Sequence, residues 1–422
     1  MIRKSLLTII LMLLAFAGCS VNVQHHVPEA RDVAMYQINP RVFAAEHSFK
    51  AITGQLDLIQ ALGVNVLWFM PIYEIGQKNS VNSPYCIKDY TSVNPEFGTI
   101  EDFDVLVNEA HKRGLSVILD WVANHTSWDC AWLDENPEWY TRDSLGNVTH
   151  PAGTGWKDVA DLDFSNQDMR NAMIEDMKYW IIEHNVDGFR CDAADYVPFD
   201  FWKQAVSELR AIPDRTLLLL AEGQRKDHFD AGFDMNYAWG YLAAMRKVFR
   251  RNAPVTALIE ADLREYEGVE PEKVKLRFTT NHDEAVRRSA VDEFGGERQA
   301  MAAFVATVFI RGGMLIYDSQ EVGFRGGIDF FRHVPVDWAS NPEYREEYRS
   351  LVKFYNGHPA VRKGRLVTYP HDDVLMFERV FENDHVFVAV NLRDRDVKVS
   401  DMSGNTWYLR PFEYVIEDRS KN

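Results

Sequence analysis

Apolar positions along this chain follow two alternating rhythms. Short, nearly unbroken apolar runs occur at Ala34–Ile38, Val64–Met70, Val117–Val122, Val186–Cys191, Leu217–Ala221, Leu276–Thr279 and Met314–Tyr317. Such runs predict strands buried on both faces. Between them, apolar residues return every three or four positions, the period of an amphipathic helix. Ile52, Leu56, Ile59 and Leu62 mark one such face, closed by Gly63. Thr99 and Asp102 open another as a capping pair, with Phe103, Leu106, Val107 and Ala110 as its face and Gly114 as its end. Ser165 and Asp168 are expected to open a third, burying Met169, Met173, Met177 and Trp180. Repeated β–α units with such strands predict a parallel sheet over about residues 29–350. The periodicity itself does not choose between a closed barrel and an open, doubly wound sheet.

The alternation lapses twice. Between Asn124 and Asp161 a long insert carries Trp128, Trp132, Trp139, Tyr140 and Trp156. Long inserts in compact domains tend to be functional, and aromatic faces stack on sugar rings. Most of these rings are nevertheless expected to form the insert's own small core. From residue 358 to 422 short β-like runs, at Leu366–Tyr369, Val374–Phe377, Val386–Val390 and Trp407–Leu409, are separated by Asp, Asn and Gly. They predict a small all-β domain without chemistry of its own.

With 422 residues, 46% of them hydrophobic, there is material for one large core and a smaller one. A net charge of −17 argues against nucleic acid as a partner. The first residues stand apart. Arg3 and Lys4 precede the apolar run Leu6–Phe16, and Ala17-Gly18-Cys19 follows. That run is shorter than the roughly 20 residues of a membrane-spanning helix and reads as a signal peptide. Its small-small-Cys ending resembles a bacterial lipobox, although Phe16 stands where Leu is usual. Residues 1–19 are thus expected to be a lipoprotein signal, with Cys19 lipidated and the mature protein anchored at the bacterial cell envelope, its membrane face open. Cys86, Cys130 and Cys191 remain, an odd number that is no disulfide framework. A Cys86–Cys130 bridge is left open.

Acidic residues end the strands with regularity: Asp120, Asp192, Glu222 and Asp283. In parallel α/β proteins, the C-terminal strand ends form the active face. One such Asp is commonly a helix cap. Four on separate strands, with His125 and His282 nearby, point to chemistry. Arg190 and Asp192 share a strand face, and a guanidinium beside a carboxylate favours the ionised form a nucleophile needs. Glu222 ends an apolar strand, where burial would raise its pKa toward that of a general acid.

Four ordered motifs carry a resemblance. Asp120-Trp121-Val122-Ala123-Asn124-His125 resembles the D-x-V-x-N-H motif of the α-amylase family, glycoside hydrolase family 13. Gly188-Phe189-Arg190-Cys191-Asp192 resembles its G-F-R-x-D strand, Ala221-Glu222-Gly223 stands at its acid/base, and Asn281-His282-Asp283 at its last motif. The resemblance implies an α/β fold: a (β/α)8 TIM barrel, a short inserted loop domain (124–161) after strand 3 and the C-terminal β domain. It implies Asp192 as nucleophile, Glu222 as acid/base and Asp283 as transition-state stabiliser. Arg190 would support Asp192, Tyr85 would stack on the sugar, His125 and His282 would bind its hydroxyls, and Asp120 would organise the site from beneath. No cofactor is required for the chemistry. Asn124 and Asp161 match positions that bind calcium in many members, which leaves a structural calcium open.

The expected activity is retaining hydrolysis of α-1,4 bonds in starch-derived or malto-oligosaccharides. The alternatives are α-1,6 cleavage or transglycosylation on the same site, or a non-catalytic sugar-binding lipoprotein. One departure bears on this. Asp195 and Tyr196 replace the Lys-His that many members set against the leaving-side sugar.

Overall fold

The computed structural model describes residues 25–420. Eight strands form its centre: β1 (Ala34–Ile38), β2 (Val66–Phe69), β3 (Ser116–Trp121), β4 (Gly188–Cys191), β5 (Leu218–Ala221), β6 (Met235–Tyr237), β7 (Val274–Arg277) and β8 (Gly313–Tyr317). Every neighbouring pair is parallel, and the sheet closes in the order β1-β8-β7-β6-β5-β4-β3-β2. The strands are buried throughout, as the apolar runs require. Closure removes the sheet edges and settles the choice in favour of the (β/α)8 barrel.

Two strands depart from the apolar pattern. β6 contains Asn236, fully buried, whose Nδ2 donates to the Arg225 carbonyl at 3.0 Å. β7 begins two residues before the expected run because Lys275 and Arg277 lie inside it. Arg277 is hidden by ion pairs to Asp262 (2.7 Å) and Glu265 (2.6 Å). Paired charges can be buried, and hydropathy alone does not reveal the pairing. The Thr99–Asp102 capping box forms. The third helix, Gln167–Ile182, is instead capped by Asn166, whose side chain accepts from the Asp168 and Met169 amides; Ser165 lies one residue outside.

After β3, His125–Ser127 pairs antiparallel with Val159–Asp161 and ties off the insert. Trp139 and Tyr140 are buried, and Trp132 packs between Tyr90 and Trp139 at centroid distances of 5.3 and 5.1 Å. Most of the insert's rings are thus its core, as expected. Cys86 and Cys130 are not bridged: each is a free, buried thiol, and Cys86 Sγ donates to the Asp158 carbonyl at 3.2 Å.

Helix Pro342–Gly357 runs past residue 350 and belongs to the barrel's outer layer, burying Tyr348, Leu351, Val352 and Tyr355. The C-terminal domain then begins at β9 (Arg365–Tyr369), followed by β10 (Val374–Phe381), β11 (Asp384–Asn391), β12 (Val397–Ser400), β13 (Thr406–Leu409) and β14 (Tyr414–Asp418). Strands β9-β10-β11-β14 make an antiparallel sheet and β12-β13 a hairpin. Side-chain alternation gives the sheet two apolar faces. Leu375, Phe377, Val386, Val388 and Val390 join the barrel's core, while Val374, Met376, Phe387 and Ala389 form a second cluster with Val399 and Leu409. Among the described residues no helix is long and apolar enough to cross a membrane. Cys19 and the residues before it lie outside them.

Candidate active site

The strand ends deliver their polar side chains into one cavity of about 590 Å³, within the range of small-molecule sites. β3, β4 and β5 are neighbours in the barrel, and their register sets Asp120 beside Arg190. Arg190 is fully buried. Its Nη1 donates to Asp120 Oδ1 at 2.6 Å and to Asp192 Oδ1 at 2.8 Å. Its Nη2 lies 2.8 Å from Glu222 Oε1, an ion pair without hydrogen-bond angles. Its Nε donates to the Tyr237 hydroxyl at 3.2 Å, and the guanidinium carbon lies 5.1 Å from the Trp68 ring centroid. One cation therefore faces three carboxylates.

The backbone completes the arrangement. Asp192 N–H donates to the Trp121 carbonyl and Glu222 N–H to the Cys191 carbonyl, so the ladder continues one residue past each strand. Ala193 then turns into the left-handed region at φ 45°, and its N–H donates to Glu222 Oε2 at 2.7 Å. A Cβ on Gly223 would lie 2.3 Å from Asp195 Oδ1 and 2.6 Å from His228 Cε1, so this position accepts only glycine without movement of its neighbours.

Across the cavity, Gln37 Nε2 lies 2.6 Å from His282 Nδ1 and Gln37 Oε1 accepts the His282 amide at 3.3 Å. An amide NH2 at Nδ1 leaves the imidazole proton on Nε2. That nitrogen is 2.6 Å from the Tyr85 hydroxyl, which donates in turn to Asp120 Oδ2 at 3.0 Å. Trp68 Nε1 donates to the same oxygen at 3.2 Å. Tyr85 and His282 stack at 5.4 Å. Asp283 is the more open carboxylate, 45% exposed against 12% for Asp192 and 17% for Glu222, and its Oδ1 is 3.4 Å from His282 Nε2. His125 is buried at the cavity wall, 5.6 Å from the Trp156 ring.

Burial pushes the Asp192 carboxyl up to about 7; Arg190 opposes this, while Asp120 and Asp283 reinforce it. Burial likewise pushes Asp120 up to about 7 against Arg190, with Glu222 reinforcing it. Glu222 rises to about 8 through burial, opposed by Arg190, with Asp192 and Asp283 adding to it. The expectation that Arg190 alone would hold Asp192 low is therefore corrected, because desolvation and crowded like charges outweigh one guanidinium. Within the pair Asp192 lies lower: it accepts a hydrogen bond from the Arg190 cation, whereas Glu222 accepts one only from the neutral Ala193 amide. Burial lowers His125 and His282 to about 4, leaving both neutral.

Asn124 and Asp161 lie at one end of the insert's ribbon, where His125 pairs with Asp161 and the Leu162 amide donates to the Asn124 carbonyl at 3.3 Å. Asn124 Nδ2 is turned to His125 Nδ1 at 3.3 Å, and burial followed by Asp163 raises the Asp161 carboxyl. One amide oxygen and one carboxylate fall short of the six to eight oxygens calcium takes. Asp163 and His150 are the charged neighbours that act on Asp161, and among the described residues none of these joins a three-ligand cluster of His, Cys, Asp or Glu. These side chains do not by themselves fit a calcium site, and no step below passes through one.

The sequence reading missed Gln37, Trp68 and Tyr237. Gln37 left a signal, a polar residue inside an apolar strand. Trp68 and Tyr237 left none, since an aromatic in a strand reads as core. Asp195 and Tyr196 both line the cavity: Asp195 accepts the Gln224 and Arg225 amides at 3.1 and 3.3 Å, and Tyr196 is 57% exposed, 5.6 Å from Trp156.

Eight closed parallel strands set three carboxylates about one buried guanidinium at their C-terminal ends, the active face of a (β/α)8 enzyme. The model of the α-amylase catalytic domain matches residues 37–144 and 153–253, and the chain belongs to the α-amylase family. It is 29% identical over 411 residues to the α-amylase MalA of Haloarcula japonica, covering 92% of this chain and 59% of that one. It is 25% identical over 372 residues to α-amylase 2 of Dictyoglomus thermophilum, covering 83% and 64%. The chain thus spans about three fifths of the length of these relatives. The solved structure of an α-amylase from Lactobacillus plantarum superimposes with a TM-score of 0.83 at 26% identity, covering 92% of this chain and 99% of that one.

Proposed function

We propose that the protein is a retaining glycoside hydrolase acting on α-1,4-linked glucose oligosaccharides. The observation that carries this reading is the single guanidinium of Arg190 set against both Asp192 and Glu222. Asp192, ionised first, attacks the anomeric carbon. Glu222, still protonated, gives its proton to the departing oxygen, and a covalent glycosyl–enzyme forms. Glu222 then takes a proton from water, which attacks the same carbon and releases Asp192, so two inversions give net retention. Asp283, the most open of the acids, is placed to bind sugar hydroxyls and to stabilise positive charge at the ring. Neutral His125 and His282 hydrogen-bond the same sugar, and Tyr85 offers its ring as a stacking face.

The α-1,4 preference rests on Ala193. In the resembling family the residue after the nucleophile tends to be Val in α-1,6-glucosidases and small or Thr in α-1,4 enzymes. Maltotetraose, isomaltose and pullulan, incubated separately with the protein and read by thin-layer chromatography, test the linkage; faster turnover of isomaltose than of maltotetraose overturns it. Proton NMR in the first minutes tests the mechanism, with the α-anomer expected as first product and the β-anomer refuting Asp192 as nucleophile. Lipidation at Cys19 is part of the same proposal: the wild type should fractionate with membranes, and Cys19→Ser should be soluble or retained as precursor.

A further inference from the structure

A second cavity lies at the opposite end of the barrel, where the strands begin. It occupies about 260 Å³ between the starts of β7 and β8, the leading segment and the C-terminal domain. Its wall carries Arg31, Lys273, Arg311, Arg362, Lys363 and Arg379, with Glu270 as its one acid. In a chain of net charge −17 this concentration of cations needs a reason.

Neighbouring carboxylates account for only some of it. Glu29 and Asp32 serve Arg31 (3.7 Å), Lys363 (3.2 and 2.8 Å) and Arg362 together. Asp262 serves Arg311 at 2.8 Å but is shared with Arg277. Among the described residues Lys273 Nζ has only the Phe233 carbonyl, at 2.8 Å. Arg379 is the extreme case. It is 1% exposed, donates to the carbonyls of Ile310 and Gly364, and has a buried Nε with no partner. Among the described residues no carboxylate lies within ion-pair distance of Arg379 or Lys273. Burial pushes the Arg379 guanidinium down to about 10, the mark of a buried cation short of negative charge. An isolated buried charge is costly unless something pairs with it.

We infer that this cavity binds a phosphate-class oxyanion, seated between the barrel floor and the β domain. Several cations converging on a small space suit a compact, multiply charged tetrahedral anion, and guanidinium groups match its oxygens pairwise. The anion would contact residues from both domains and so hold them together. It would do so at the face of the barrel opposite the sugar cavity, independently of the activity proposed above.

The test is calorimetric titration of the full chain with inorganic phosphate and, separately, with glycerol 3-phosphate, each against sodium chloride of equal ionic strength. One-site binding beyond the chloride control is expected, with a phosphate-dependent rise in thermal midpoint. The tighter of the two ligands tells free phosphate from a phosphate ester. Lys273→Met and Arg379→Met should each weaken binding about tenfold or more, the loss of one charge-assisted contact. If Arg379→Met does not fold, Lys273→Met carries the comparison. No binding above the chloride control with either ligand, or undiminished binding by folded Lys273→Met, overturns the inference.

Discussion

At the scale of single residues, the site is a problem in placing protons. Asp120, Asp192 and Glu222 all rise because they are buried together, and Arg190 neutralises only part of their charge. Glu222 at about 8 is protonated at neutral pH and loses that proton as the solution becomes alkaline. kcat/KM for maltotriose should therefore fall on the alkaline side through the loss of one proton. In Glu222→Gln, assayed with an aryl α-glucoside whose leaving group needs no protonation, that limb should vanish. An unchanged alkaline limb in the variant would assign it to another group. Asp192→Ala should abolish turnover on both substrates with its fold intact. Gln37 acts at one remove, by fixing the His282 proton on Nε2. Gln37→Leu should lower kcat/KM by about tenfold, the cost of one misdirected hydrogen bond, while thermal denaturation shows the protein still folded. Wild-type kinetics in this variant would remove Gln37 from the site.

At the scale of elements, close approach of strands decides what each position tolerates. Gly188 opens β4 at φ 145°, and a Cβ there would lie 1.9 Å from the Leu218 carbonyl oxygen on β5. Backbone cannot yield as a side-chain tip does. Gly188→Ala should destabilise by about 3 kcal/mol or more, through overpacking and a conformation alanine disfavours. It should also cost activity, because Asp192 and Glu222 end the two strands it pushes apart. Gly54, inside the exposed side of helix Ser48–Ala61, has nothing within 4 Å of its Cβ position. Gly54→Ala should stabilise by about 0.5–1 kcal/mol through helix propensity. Denaturant titrations of the two variants should move in opposite directions, and a common direction would refute the packing argument.

At the scale of the whole molecule, closing the barrel brings together residues far apart in sequence. Asp187, just before β4, receives His111 Nε2 at 2.8 Å, His25 Nε2 at 2.9 Å and the Val117 amide at 2.7 Å. The two imidazoles stack at 3.9 Å. Nearly parallel rings cannot both point their lone pairs at one ion, so this clasp is read as hydrogen bonding and not as a metal site. Burial would raise the Asp187 carboxyl, but the hydrogen bonds from His111 and His25 outweigh it and hold it low. A folded-state pKa below the unfolded one means stability present above about 4 and lost as pH falls through the folded value. Asp187→Asn should therefore destabilise by about 1–3 kcal/mol at neutral pH. The deficit should shrink as the pH is taken below the carboxylate range. A deficit constant from pH 7 to pH 3 would show that charge plays no part.

The sequence by itself determined the repeat of strand and helix, the Thr99 cap, the β domain and the acids at the strand ends. Each is a local matter, in which period, capping chemistry and turn residues lie within a few positions of one another. It did not reveal β6, since Asn236 interrupts any apolar run, or the early start of β7, since Arg277 is hidden by Asp262 and Glu265. Nor could it supply Trp68 or Tyr237, which differ from core aromatics only in facing Arg190. Closure of the barrel, separation of Cys86 from Cys130, and the raised pKa of Asp192 were decided by the tertiary structure. The physical reason is common to all three. Burial and Coulomb energies depend on distances between residues remote in the chain, and those distances exist only once the eight strands have closed.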